Sequence, residues 1–384
     1  MNPAIVVIGY NRPQSLLRLL KSIAAAKYPS EPITLIISID YYDGPRHDEV
    51  VGIAEEYDWK YGKKIVSVQK ENLGLKAHIL QCGDLTETYD SVVILEDDLI
   101  VSPQFYEFSS NAIQFYHSES RIAGISLYAY EYEELGWFKF YPRDIGTATY
   151  FMQWSSSWGQ IWTRSQWREF RKWYTAKVDI EGINAPDQVK NWKNSWKKFH
   201  ILYLVDTNRF FVFPYKSYTT LMDGAGTHHQ HDTRTNNVAL VGENKQPVEQ
   251  KFSSFPNEDI SYDSFFQPLS RSVFLEQTGK EMSVDFDLYG TKRLHNFKNE
   301  LVFGMKHSDN PILKCSNKLI PLEDNLYHAL EGEIYDLGYL HDLRPKSSVY
   351  LQGKKLYSSR KVFAISEMAK VVLYRVLSKM KVGG

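Results

Sequence analysis

The sequence predicts an α/β fold: a mostly parallel sheet with helices on both faces, followed by a C-terminal extension. Three observations predict it. Short apolar, β-branched runs alternate with amphipathic stretches over the first hundred residues. The first two runs end at Gly9 and Asp40, and the fourth runs into three consecutive acids, Glu96-Asp97-Asp98. Buried parallel strands read as continuous apolar runs, and open α/β sheets hold their ligands at the carboxyl ends of those strands.

Ala4–Ile8 is the first strand. NRPQSLLRLLKSI follows, with Leu16, Leu17, Leu20 and Ile23 at helical spacing and with Asn11 and Pro13 placed to start the helix. The second strand, Ile33–Ile39, meets the turn-rich YYDGPRHDE, and a helical stretch to about Tyr61 leads into the third strand, Lys64–Val68. NLGLKAHILQCGDL reads as a loop and helix, and Ser91–Leu95 is the fourth strand. From Ser102 to Phe213 the chain is mixed and dense in Trp and Tyr, with a strand at Phe211–Pro214. Gly224–Asn237 is a polar loop rich in His, and Val238–Phe255 reads as a turn-rich surface excursion. Beyond Phe266 the periodicities weaken, and no element is assigned until a helical pattern resumes over 354–381.

At 384 residues the chain is too long for one simple core. The expected division is 1–265 (a nucleotide-binding half, 1–103, and an acceptor half, 104–265) and an extension, 266–384. With 45 Lys+Arg against 46 Asp+Glu, a general nucleic-acid coat is not expected. Two cysteines, Cys82 and Cys315, argue against a disulfide scaffold and for a reducing compartment. The N-terminus lacks the basic region of a signal peptide, and no run approaches the ~20 apolar residues that span a bilayer. A cytoplasmic protein is the expectation. The aromatic content, 14% with 26 Tyr and 9 Trp, suits sugar-stacking surfaces as well as core.

The sharpest local signal is VVILEDDLIVSP. Three adjacent acids inside an apolar segment are costly to desolvate unless a cation joins them. A hard divalent ion, Mn2+ or Mg2+, carrying substrate phosphates is the natural partner, because these ions favour carboxylate oxygens and keep positions open for phosphate. A solvated strand-end turn is the alternative.

IVVIGYNRPQSLLRLLKSI, SID at Ser38–Asp40, NLGLKA at Asn72–Ala77, and EDD occur in the order found in nucleotide-sugar glycosyltransferases of the Rossmann-like GT-A fold, which the chain resembles. The EDD form is similar to that of the eukaryotic N-acetylglucosaminyltransferase that begins complex N-glycans and of bacterial surface-polysaccharide enzymes. SSSWGQIWTRSQW resembles the bacterial SSWGWATW-type segment, and FVFPYKSYTTLMDGAGTHH resembles their YPxxSLVxNIGxDGxGTH segment. The resemblance runs from Ala4 to His229. It implies that Tyr10, Asn11 and Arg12 line the nucleotide pocket, that Asp40 accepts from uracil or ribose, and that Asn72, Gly74 and Lys76 cover the nucleotide. Asp98 matches the direct metal ligand, and Glu96 and Asp97 match positions that contact the ribose and donor sugar. Trp158 belongs to the sugar site. Asp223 and His228 carry the other polar chemistry, with His228 completing a metal shell or gripping a diphosphate. The donor is then a UDP-sugar and the acceptor a glycan or lipid-linked glycan.

One position departs from the pattern. Inverting transfer needs a carboxylate to take the proton of the attacking hydroxyl. Many relatives carry an Asp after a Trp before the YP strand; here Lys197 follows Trp196, and Lys193 follows Trp192. Asp187, Asp223, Glu258 and Asp259 are the remaining choices for the base, with Asp187 favoured because it lies just before the Trp helix. A degenerate glycan- or nucleotide-binding module and a sugar-phosphate nucleotidyltransferase are the alternative readings. Over 354–381, Val362, Ile365, Met368, Val372 and Val376 form one helical face amid Lys and Arg, which suits peripheral contact with the inner face of a cell membrane or docking on the protein itself.

Overall fold

The computed structural model describes residues 2–176, 178–222, 236–242, 250–275 and 279–344. They fall into two compact units, one ending at Leu269 and one beginning at Ser270.

The first unit opens with β1 (Ala4–Gly9), α1 (Pro13–Ala24), β2 (Leu35–Ile39), α2 (Pro45–Glu56), β3 (Lys64–Val68), α3 (Gly74–Asp84), α4 (Thr86–Tyr89) and β4 (Ser91–Glu96). It continues through β5 (Leu99–Val101), α5 (Phe105–Tyr116), β6 (Ile122–Ser126), β7 (Thr149–Met152), β8 (Gln160–Thr163) and α6 (Arg164–Thr175). α7 (Asp187–Lys190), α8 (Trp196–Asp206), β9 (Phe210–Pro214), β10 (Thr219–Leu221) and β11 (Ser261–Tyr262) complete it. Nine strands form one sheet in the order β11-β7-β9-β6-β8-β4-β1-β2-β3. β4, β1, β2 and β3 are mutually parallel, as the alternating pattern predicts. β8 runs antiparallel to both β4 and β6, so the sheet is mixed beyond β4.

The burial explains the pattern. β1 and β2 are buried along their whole length, whereas β3, at the sheet edge, leaves Ser67 and Val68 exposed. α1 buries Leu16, Leu19, Leu20 and Ile23, a single helical stripe. The second helix stops at Glu56, short of the expected Tyr61, because an aromatic cluster takes over. Trp59 donates to the Ile33 carbonyl at 2.8 Å, and Tyr57 donates to that of Leu20 at 2.9 Å. Gly62 then passes so close that a Cβ would meet the Ile33 carbonyl oxygen at 2.5 Å. The described part of 238–255 runs over the surface, with Ala239, Gly242, Lys251 and Ser254 exposed, and is anchored where Phe252 packs on Phe108, Phe115 and Tyr116 of α5 and Ser253 is buried.

The second unit holds structure where the periodicities are weak. β12 (Arg271–Leu275), β13 (Lys280–Asp287), β14 (Leu301–Gly304), β15 (His307–Ser308), β16 (Leu313–Cys315), α9 (Asp324–Tyr327), β17 (Tyr335–Tyr339) and β18 (Leu343–Arg344) follow in order. Five of them form a sheet, β12-β13-β14-β17-β16, over a core that includes Val284, Phe286, Phe303, Tyr335 and Leu337. Buried acids break the apolar pattern. Asp287 accepts from Lys306 Nζ at 2.6 Å. Burial raises the Asp285 pKa, but hydrogen bonds from Ser270, Asn299 and Lys298 outweigh it and hold the carboxyl below the usual range. Cys82 and Cys315 are both free and buried. No described helix is long and apolar enough to cross a membrane, and the helix expected over 354–381 lies outside the described residues.

Candidate active site

Strand register assembles the site. Ile8 of β1 lies opposite Glu96 of β4, and Gly9 lies opposite Ile39 of β2. Tyr10–Arg12, Asp40 and Asp97–Asp98 therefore leave the sheet side by side at its carboxyl edge. The Arg12 guanidinium donates to Asp97 Oδ1 and, at 3.2 Å, to Asp98 Oδ2. The acids turn back immediately into β5, which pairs with β10 and brings Leu221 and Met222 into the same cavity.

One cation does not balance three acids. Burial and the neighbouring Asp98 and Asp97 push the Glu96 carboxyl well above its ordinary range, and its Oε1 is sealed from solvent with no hydrogen-bond partner among the described residues. Burial also raises the Asp97 carboxyl to about 7 despite Arg12. Buried acids held above their ordinary range beside a cavity make it a candidate functional site.

The nucleotide-side residues form a second cluster. Asp40 accepts from the backbone N–H of Leu73 at 2.8 Å and of Gly74 at 3.0 Å, so it anchors the start of α3. This is a structural duty for a residue whose expected partners are base or ribose, yet a carboxylate has about four acceptor positions and some remain. Gly74 has φ +72°, which lets the NLG loop turn into the helix. Asn72 Nδ2 donates to Tyr10 Oη and to the Tyr41 carbonyl, both at 3.0 Å. His78, absent from the sequence reading, pairs with Ser38 Oγ at 2.7 Å, and burial lowers its pKa.

A third wall comes from β8 and α8. Trp158 lines the cavity while Trp154 and Trp162 are core. Gly159 has φ +92°, and a Cβ there would meet Thr219 Cγ2 at 2.9 Å. Lys197, the departure from the pattern, is buried in the same wall and bound to Glu134 Oε1 at 2.5 Å. Glu134 went unseen in EYEELGW because nothing local distinguishes it from its neighbours; a lysine on an otherwise apolar helix face was the available signal, since a buried cation requires an acid.

These walls enclose a cavity of about 660 Å³. Tyr10, Arg12, Asp40, Asn72, Gly74, Glu96, Asp97, Asp98 and Trp158 line it. Asn11 and Lys76 do not; the Lys76 ammonium lies 5.6 Å over the Phe199 ring. Asp187, at the start of α7, is not in the lining, nor are Glu258 and Asp259, which form a short 3-10 turn. Asp223 and His228 lie outside the described residues.

The acids suit a divalent ion. Among the described residues no three His, Cys, Asp or Glu side chains converge into a complete metal shell. An ion shared with substrate phosphates needs only one or two carboxylates, and one bound here would relieve the repulsion within the acidic turn.

Residues 4–189 match the family model described as Glycosyl transferase family 2, just under half of the chain. This match is to the class its motifs resemble, and the α/β architecture expected of it, a large mostly parallel sheet with helices, is the one observed. Among solved structures, the chain is similar to TarS 1–349 of S. aureus, at 16% identity over 57% of this chain and 60% of that one, with a TM-score of 0.38. It is also similar to TarS 1–349 in complex with UDP-GlcNAc, at 15% identity over 59% and 60%, with a TM-score of 0.39. A third similar structure is the mannosyltransferase PcManGT from Pyrobaculum calidifontis in complex with GDP-Man and Mn2+, at 14% over 45% and 47%, with a TM-score of 0.32. The chain therefore covers less than two thirds of the length of the TarS segment. No curated protein matches it.

Proposed function

We propose that the chain is a metal-dependent glycosyltransferase. It moves a hexosyl or N-acetylhexosaminyl group from a UDP-sugar to a glycan or lipid-linked glycan acceptor, with inversion, in surface-polysaccharide synthesis. The observation that carries this reading is the acidic turn Glu96–Asp98, which opens into a cavity beside Arg12, Asn72 and Trp158. In this reading Asp98, aided by His228, holds Mn2+ or Mg2+. The ion would neutralise charge developing on the UDP leaving group. Tyr10, Asn11, Arg12 and Asp40 hold the nucleotide, Asn72, Gly74 and Lys76 cover it, and Glu96 and Asp97 face the ribose and donor sugar. Asp187, just before the Trp helix, or Asp223 supplies the base.

Asp98→Ala tests the reading. The variant should stay folded but lose the manganese-dependent thermal stabilisation by UDP and lose transfer from a panel of UDP-sugars. Near-normal manganese-dependent activity would remove the metal assignment. Lys197 at the expected acid position favours one alternative, a binding module without turnover; saturable UDP-sugar binding with neither transfer nor donor hydrolysis is its signature.

A further inference from the structure

Lys197 is a charged side chain buried in a cavity wall, at the position where the resemblance leads us to expect an acid. Its Nζ lies 2.5 Å from Glu134 Oε1 and 3.3 Å from Tyr130 Oη. Rings surround it: Trp154 at 4.9 Å, Trp158 and Trp192 each at 5.7 Å, and Tyr130 at 5.8 Å. Glu134 is itself held in place, since Tyr130 Oη donates to its Oε1 at 2.5 Å and Trp154 Nε1 at 3.2 Å. An ammonium has three N–H donors. Glu134 and Tyr130 take two, and Lys197, Trp158 and Trp192 all line the cavity.

Charge decides what the third donor meets. Glu134 already balances the ammonium. No net positive charge remains there to attract an anion. A neutral oxygen flanked by aromatic faces is the partner that fits, and that combination is a pyranose: apolar ring faces against Trp, a hydroxyl or acyl oxygen towards the donor. Arg12 is bonded to Asp97 and Asp98 at the acidic turn, the diphosphate end in the reading above, whereas Lys197 is bonded to Glu134 and stands among rings, surroundings that suit the transferred sugar.

We propose that Lys197, positioned by Glu134, reads the transferred sugar by donating to a neutral hydroxyl or acyl oxygen. The assignment rests on the glycosyltransferase reading above. It makes Lys197 a specificity-determining residue and gives the charge change at this position a purpose other than inactivity.

The test compares UDP with neutral UDP-hexoses and UDP-N-acetylhexosamines by titration calorimetry with manganese. Lys197→Met alone strands a buried carboxylate, so the informative variant is Lys197→Met with Glu134→Gln, which removes both charges together. The wild type should bind one UDP-sugar, and the double variant should bind UDP within about twofold of wild type. The ratio of UDP to UDP-sugar dissociation constants should fall about tenfold, the loss expected for one charge-assisted hydrogen bond. An unchanged ratio in the folded variant overturns the assignment, as does an equal loss for UDP and UDP-sugar, or a loss confined to the acceptor KM. Should the double variant misfold, deoxy and deacetyl UDP-sugars on the wild-type protein decide: one analogue must lose about tenfold, and uniform affinity across the series overturns the assignment. A wild type that binds no UDP at all defeats the glycosyltransferase reading instead.

Discussion

At His200, one turn beyond Lys197 on the same helix, burial acts without a compensating charge. The ring packs among Trp162, Phe170 and Phe211, and its Nδ1 meets Ser155 Oγ at 2.7 Å. Burial lowers its pKa to about 3. The unfolded chain takes up this proton near pH 6.5, well before the folded one does, so the stability present above about pH 6.5 is lost as pH falls towards 3. Asp97 has the opposite sign: its raised pKa contributes stability at acid pH that is lost as pH rises through about 7. His200→Gln removes only the first effect. It should flatten the acid limb of the thermal-stability profile by on the order of 3 kcal/mol between pH 6.5 and 4. Parallel acid limbs for variant and wild type in pH-resolved thermal unfolding would refute this. The two positions show why residue-scale chemistry was only partly readable. Asp97 sits in an acidic run that any strand-end pattern exposes. His200 looks like an ordinary helix residue until β9 and α6 close over it.

Among the elements, the start of α3 links the fold to the site. Asp40 reaches from the end of β2 to the N–H groups of Leu73 and Gly74, groups that a helix cannot satisfy internally. Asp40→Ala should therefore do two things at once: weaken UDP binding by about 1–3 kcal/mol and speed amide exchange at Leu73 and Gly74. Normal UDP affinity together with faster exchange would leave Asp40 as a helix anchor only. Lost affinity with unchanged exchange would contradict the hydrogen bonds seen here. Strand ends Gly9, Asp40 and Glu96 were legible because each closes an apolar run. Helix ends were less so: α2 stops where Tyr57 finds the Leu20 carbonyl in α1 and Trp59 that of Ile33, just before β2, partners that the local sequence does not specify.

At the scale of the whole molecule, the two units have separate cores, and the described residues that line the cavity belong to the first. The stretch 354–381 lies outside the described residues, so its role rests on its sequence: an apolar stripe of Val362, Ile365, Met368, Val372 and Val376 among Lys and Arg, with Glu367 the only acid in it. Each cation near anionic lipid is worth about 1 kcal/mol. Deleting 354–384 should abolish co-sedimentation with anionic liposomes and spare transfer to a soluble acceptor. Equal sedimentation of both proteins would discard membrane contact, and misfolding of the shortened chain would favour docking on the protein itself.

By itself, the sequence determined the parallel half of the sheet and the acidic turn. These follow from patterns within a few residues: apolar runs for strands buried on both faces, a helical stripe in α1, and acids where a strand ends. Tertiary structure alone decided the mixed half of the sheet, the strands of the second unit, and the partner of Lys197. Glu134 lies 63 residues from Lys197, and the buried Asp287 and Lys306 meet across 19. The reason is physical. A buried charge disrupts the apolar pattern at its own position, and what stabilises it there is an opposite charge brought in by the fold from elsewhere in the chain.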